Sequence, residues 1–106
     1  MVRIYCNREK LELQIDGHAN SAEYGKDLVC CAVSILAESL SRYLDRKEEA
    51  GELRYLVNEI AEGRVYISAD PCRWDLKETV GAFEVIREGL KAIAEEYPEY
   101  IKMEEA

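Results

Sequence analysis

Val2-Arg3-Ile4-Tyr5-Cys6-Asn7-Arg8-Glu9-Lys10-Leu11-Glu12-Leu13-Gln14-Ile15-Asp16 is the stretch whose reading decides the fold. Leu11, Leu13 and Ile15 alternate with Glu12, Gln14 and Asp16, the period of two that sends apolar side chains to one face of a strand. Residues 2–6 read as a second strand, and the polar run Asn7-Arg8-Glu9-Lys10 connects the two into a hairpin. One face of that hairpin is apolar and must be covered by another layer.

Downstream, the period changes. Residues 17–26 are polar and bounded by Gly17 and Gly25, so they read as a loop. From Asp27 to about Lys47 the apolar residues Leu28, Val29, Ala32, Val33, Leu36, Leu40, Tyr43 and Leu44 recur at helical spacing. Gly51 breaks that pattern. Leu53, Tyr55 and Val57, then Val65, Ile67 and Ala69, predict a second hairpin turning at Glu62-Gly63 and ending at Asp70-Pro71. A second helix is expected from about Asp75 to Tyr97, with Leu76, Val80, Phe83, Ile86, Leu90, Ile93 and Tyr97 on one face and Pro98 as the stop. Residues 100–103 are expected to add a short edge strand. The order ββαββα predicts an α+β two-layer sandwich, a mostly antiparallel sheet with two helices on one face, forming a single domain over residues 1–106.

Composition narrows the partners. The 106 residues are 48% hydrophobic and 34% charged, an ordinary balance for a folded soluble domain. No run approaches the roughly 18 apolar residues of a membrane span, and the first residues enter a strand pattern without a signal-peptide core, so a cytoplasmic location is expected. Lys and Arg total 14 against 22 Asp and Glu, a formal charge of -8. Such a surface repels phosphate backbones and anionic lipid and attracts a basic partner, so direct nucleic-acid and membrane binding are not expected.

The chain carries Cys6, Cys30, Cys31 and Cys72 and a single histidine, His18. Adjacent cysteines cannot bridge without severe strain, and one imidazole with no C-x-x-C does not make a usual zinc site, so neither a disulfide framework, a metal nor a cofactor is expected. Asp27 is a good N-cap residue, which would put Cys30 at the third helical position, facing unpaired amides and the positive end of the helix dipole. An ordinary thiol is only about 3% ionised at neutral pH, so such a setting is where a nucleophile gains most. Ser34 follows at i+4 on the same helical face. Helix geometry does not choose between Cys30 and Cys31, and spacing does not place His18 beside either. Cys6 and Cys72 read as structural, Trp74 and Tyr97 as core packing.

The stretch Asp16-Gly17-His18-Ala19, a polar loop to Gly25, then Asp27-Leu28-Val29-Cys30-Cys31-Ala32-Val33-Ser34 resembles the signature of the ribosomal-processing cysteine protease family, Prp. Length, element order and the helix ending Glu95-Glu96-Tyr97 agree with that family, so the resemblance spans the domain. It implies that His18 is the catalytic histidine and Cys30 the nucleophile, with Gly17, Asp27 and Ser34 as accompanying motif positions. It further implies a cysteine endopeptidase that removes a short N-terminal extension from a large-subunit ribosomal protein, a basic substrate, and a homodimer. Cys31 departs from the pattern, which more often shows Ala or Gly there. Two other readings stand beside this one: the same chemistry on phage structural precursors, and a non-enzymatic, ribosome-associated dimeric binding module with Cys30 inert. A redox pair of Cys30 and Cys31 is disfavoured because neighbours resolve each other poorly.

Overall fold

A computed structural model describes residues 1–17 and 24–106; of residues 24–27 the backbone alone is described. The first hairpin is β1 (Val2–Asn7) and β2 (Glu12–Asp16), paired antiparallel with Ile4 opposite Ile15 and Cys6 opposite Leu13. Leu11, buried at the turn, holds a positive φ of 48°, and Asn7 accepts hydrogen bonds from the amides of Glu9 and Lys10. α1 (Tyr24–Glu49) follows, then β3 (Leu53–Ala61), β4 (Arg64–Pro71), a 3-10 turn at Arg73–Asp75, α2 (Leu76–Glu96) and β5 (Ile101–Glu105). The strands form one sheet in the order β3-β4-β2-β1-β5, antiparallel except where β5 runs parallel to β1 at the edge. The architecture is therefore the expected α+β arrangement, with five strands in a mixed sheet and two α-helices among the described residues.

Alternation builds the core. Val2, Ile4, Cys6, Leu13, Ile15, Val65, Ile67 and Ala69 are buried along β1, β2 and β4, and pack with Val29, Val33, Ala37, Leu40 and Leu44 of α1 and Leu90 of α2. Arg3, Tyr5, Glu12, Gln14 and Tyr66 alternate with them on the opposite side of the sheet, where the Tyr66 hydroxyl donates to Glu12 at 2.6 Å.

Local expectations changed in four places. The alternation in the second hairpin slips by one at a register shift between Leu53 and Tyr55, so Leu56, not Tyr55 or Val57, packs against the core. A one-residue shift in a strand exchanges its two faces, and sequence periodicity does not reveal it. On the helices, Leu28 and Leu76 are exposed, because the buried stripe is carried by Val29, Val33 and Ala37 and by Leu90 with Thr79. Trp74 is 75% exposed: the 3-10 turn after Pro71 turns it outward, where its indole N–H donates to Glu52. The fourth change concerns Asp27. α1 begins at Tyr24, so Asp27 is the fourth helical residue and not the N-cap, and Cys30 is the seventh helical residue and not the third.

The end of α1 is locked to the start of α2 by ions. Lys47 donates to Asp75 at 2.6 Å and also to Glu78, and Thr79, fully buried, donates to the second Asp75 oxygen at 2.6 Å. Burial alone would raise the Asp75 carboxyl, but the hydrogen bonds from Lys47 and Thr79 outweigh it and hold it below the usual carboxylate range. A carboxyl depressed on folding stabilises the fold above its unfolded value, and that contribution is lost as pH falls through the folded one. Asp75→Asn is therefore expected to lower Tm by about 5–10 °C near neutrality, with the gap to the parent narrowing as pH falls below the ordinary carboxylate range. A gap independent of pH in thermal melts would contradict this account.

Candidate active site

Gly17, the first residue after β2, and the tip of the β3–β4 hairpin border the same space beside α1. Gly17 directly follows β2, and its N–H donates to the Gly63 carbonyl at 2.9 Å, tying the strand end to the hairpin tip. Gly63 takes a φ of 76° in the two-residue turn that returns β3 into β4. Between these pieces and α1 lies a cleft of about 330 Å³. Its apolar floor includes Val2, Ile15, Val33 and Ala37, the hairpin contributes Ile60 through Val65, and Cys30, Ser34 and Glu38 line it from α1. Cys30, Ser34 and Glu38 are spaced by four, so one helical face presents all three to the same space.

Gly17 has two separate reasons to be glycine. Its φ is +98°, and a Cβ there would run into the backbone carbonyl of Met1. Gly17→Ala is expected to lower Tm by on the order of 5–10 °C and to reduce activity further than stability alone explains, since it displaces the chain that leads to residue 18. An unchanged melting curve would refute the conformational argument.

The two neighbouring cysteines, inseparable by helix geometry, are separated by tertiary packing. Cys30 is half-buried against the core and lines the cleft; Cys31 is exposed and does not. Cys30 is nearer the buried stripe than the helical spacing implied, because the stripe is centred on Val29, Val33 and Ala37. Of the other cysteines, Cys6 is buried, and burial followed by the charge of Glu105 pushes its thiol up to about 11. Cys72 is half-buried with its Sγ 3.7 Å from the Gly51 carbonyl oxygen.

The five motif positions thus divide. Gly17, Cys30 and Ser34 border one cleft. His18 lies outside the described residues, as does the Asp27 side chain, so the arrangement of His18 relative to Cys30 stays an expectation from the sequence. The earlier start of α1 changes the electrostatics expected at Cys30. The first turn of the helix begins at Tyr24, and the dipole weakens beyond the first turn. Helix-start amides therefore do not flank Cys30 in the way an N-cap at Asp27 would arrange.

Sequence reasoning did not associate the hairpin tip with the site. Ile60, Ala61, Glu62, Gly63 and Arg64 read only as strand ends and a turn, and they reach Cys30 through the fold. The connecting signal is antiparallel return: α1 ends in a turn near Gly51 and β3 runs back along it, as shown by Asn58 Nδ2 donating to the Ser41 carbonyl at 3.0 Å. No group of His, Cys, Asp and Glu suited to holding a metal occurs among the described residues, and none of their helices is long and apolar enough to cross a membrane.

Comparison with known proteins gives the chain its class, that of a cysteine protease. The family model described as Cysteine protease Prp matches residues 1–102, and the chain belongs to that family. Among solved structures, the chain is similar to the essential ribosomal processing protease Prp from S. aureus in complex with a substrate peptide, at 21% identity, TM-score 0.77 and full coverage of both chains. The same protease with a covalently linked product peptide matches at 22% identity and TM-score 0.73, again with full coverage of both. SMU.848 from Streptococcus mutans is 26% identical with TM-score 0.67, covering 98% of this chain and 90% of that one. These likenesses show the shared fold. No curated protein matches the chain significantly.

Proposed function

We propose that the protein is an endopeptidase that removes a short N-terminal extension from a large-subunit ribosomal protein precursor, with Cys30 as nucleophile and His18 as general acid and base. The observation that carries this reading is that Cys30, and not Cys31, lines a cleft together with Gly17, the residue that immediately precedes His18 in the chain. Family membership supplies the cysteine-protease chemistry, and the ribosomal substrate is taken from what the S. aureus protein is called.

The steps follow from general thiol chemistry. His18 accepts the Cys30 proton, and the sulfur attacks the scissile carbonyl carbon to form a tetrahedral adduct. Its collapse breaks the C–N bond, His18 returns the proton to the leaving amine, and water then hydrolyses the thioester to free the thiol. Gly17 sets the direction in which the chain enters residue 18, and Ser34 lines the cleft one helical turn beyond the nucleophile. In the same reading residues 1–106 act as one protease domain, as a homodimer in the cytoplasm.

The direct test is mass spectrometry of precursor ribosomal proteins from the source organism after incubation with the protein. Loss of an N-terminal segment from a single large-subunit protein is the expected result, and intact precursors would sink the reading. The formal charge of -8, with Glu38 and Glu62 at the cleft, suits a basic substrate. Raising ionic strength from about 50 to about 500 mM is accordingly expected to lower kcat/KM several-fold for a basic precursor and little for a neutral peptide. Equal salt dependence for both would remove the steering argument.

A further inference from the structure

We propose that the substrate binds as an added strand on the free edge of β3, delivered by that strand into the Cys30 cleft; the proposal rests on the protease reading above and concerns how the peptide is held. The two edges of the sheet are built differently. At β5, Lys102, Glu104 and Glu105 crowd a five-residue strand with charge, one way in which edges are kept from pairing. At β3, the first half is protected by the register shift between Leu53 and Tyr55 and by Arg54, which pairs with Asp70 at 3.7 Å. The second half, Leu56-Val57-Asn58-Glu59-Ile60-Ala61, is regular, contains no Pro or Lys and a single charge, and ends inside the cleft. The least guarded edge among the described residues is thus the one that runs to the nucleophile.

The hydrogen-bond pattern says which groups that edge offers. Ala69 of β4 is opposite Leu56, and its N–H donates at 3.2 Å to the Leu11 carbonyl, on the side away from β3. The Leu56–Ala69 pair is therefore a non-hydrogen-bonded one, in which both residues turn their backbone groups outward. With no register shift from Tyr55 to Ala61, the alternation repeats at Asn58 and Ile60. Leu56, Asn58 and Ile60 thus present their N–H and C=O groups along the free edge among the described residues, while Val57 and Glu59 bond β4.

An extended peptide of about six residues matches this row at about 3.4 Å per residue, gaining backbone hydrogen bonds that do not depend on its side chains. Its far end then lies over Ile60, which is 49% exposed, and enters the space lined by Cys30. Glu59 on the strand and Glu38 and Glu62 at the cleft favour basic residues in that peptide. The occupant is therefore an extended, basic segment of substrate next to the scissile bond.

The test uses the whole protein and an acetylated, lysine-bearing hexapeptidyl chloromethyl ketone, whose methylene carbon bonds the Cys30 sulfur as chloride leaves. Mass spectrometry locates the label, and amide hydrogen exchange followed by NMR reads the edge. The expected result is a label on Cys30 with exchange slowed at least about tenfold at Leu56, Asn58 and Ile60, and little change at Val57 and Glu59. A labelled Cys30 without this alternating protection overturns the added strand while leaving the nucleophile in place. No label on Cys30 removes the nucleophile assignment, and the added strand with it. Protection of the three amides in the unlabelled protein that rises with concentration assigns the edge to a second copy of the chain and likewise overturns the proposal.

Discussion

Replacing Cys30 by alanine is expected to lower kcat/KM for a precursor peptide by at least about a thousandfold, while Cys31→Ala stays within about twofold of the parent. The asymmetry follows from where the two side chains lie. A nucleophile must reach a carbonyl carbon held in a shaped space, and of the two adjacent thiols only Cys30 borders the cleft. Cys31, one residue and about 100° further round the helix, is exposed elsewhere. Neither remaining thiol offers an alternative: Cys6 is buried with its thiol pushed up to about 11, and Cys72 is outside the cleft. Alkylation at mildly acidic pH should then modify Cys30 well before Cys6. The opposite pattern, with Cys31→Ala inactive and Cys30→Ala active, would reverse the assignment. Full activity in both single variants would show that neither thiol is the required nucleophile.

His18→Ala is expected to cost between about a hundredfold and ten-thousandfold in kcat/KM, the usual range for a positioned acid and base. This chain has no second histidine, so any imidazole chemistry belongs to residue 18. The acidic limb of the pH–rate profile, in the range where an imidazole titrates, should therefore disappear in the variant instead of shifting. The reason to expect His18 at the site is the strictness of its neighbour. Gly17 is held by a backbone bond to Gly63 and by a conformation that side chains disfavour, so the chain leaves β2 at the cleft border. A variant that keeps both rate and pH profile would remove the histidine from the mechanism.

Much of the fold was legible because it rests on periodicity. The first hairpin and the second helix follow from alternation, helical spacing and Pro98, all local properties of the chain, and the edge strand expected at 100–103 lies at 101–105. What failed to be legible depended on registers and ends. The slip between Leu53 and Tyr55 exchanges the faces of β3, yet changes no residue type. The start of α1 at Tyr24 overrode a good capping residue, since a cap is only one way to satisfy the first amides. Trp74 looked like core by size alone, and the 3-10 turn placed it outside.

The site divides in the same way. The motif around Gly17-His18 and Cys30 was readable from residue identities in order, and family membership rests on such a pattern over residues 1–102. Choosing between Cys30 and Cys31 was not possible from the helix, because adjacent residues differ only in direction and direction has meaning only against neighbouring elements. The sequence alone determined the layer architecture and the acidic surface, which depend on residue type and spacing, while the thiol chemistry came from the motif's resemblance to the Prp family. Only the tertiary structure decided which thiol meets a cleft, and that the β3–β4 tip forms its wall. That cleft is lined by residues more than 25 positions apart, such as Cys30 and Ile60, and long-range proximity is set by packing, which no local pattern encodes.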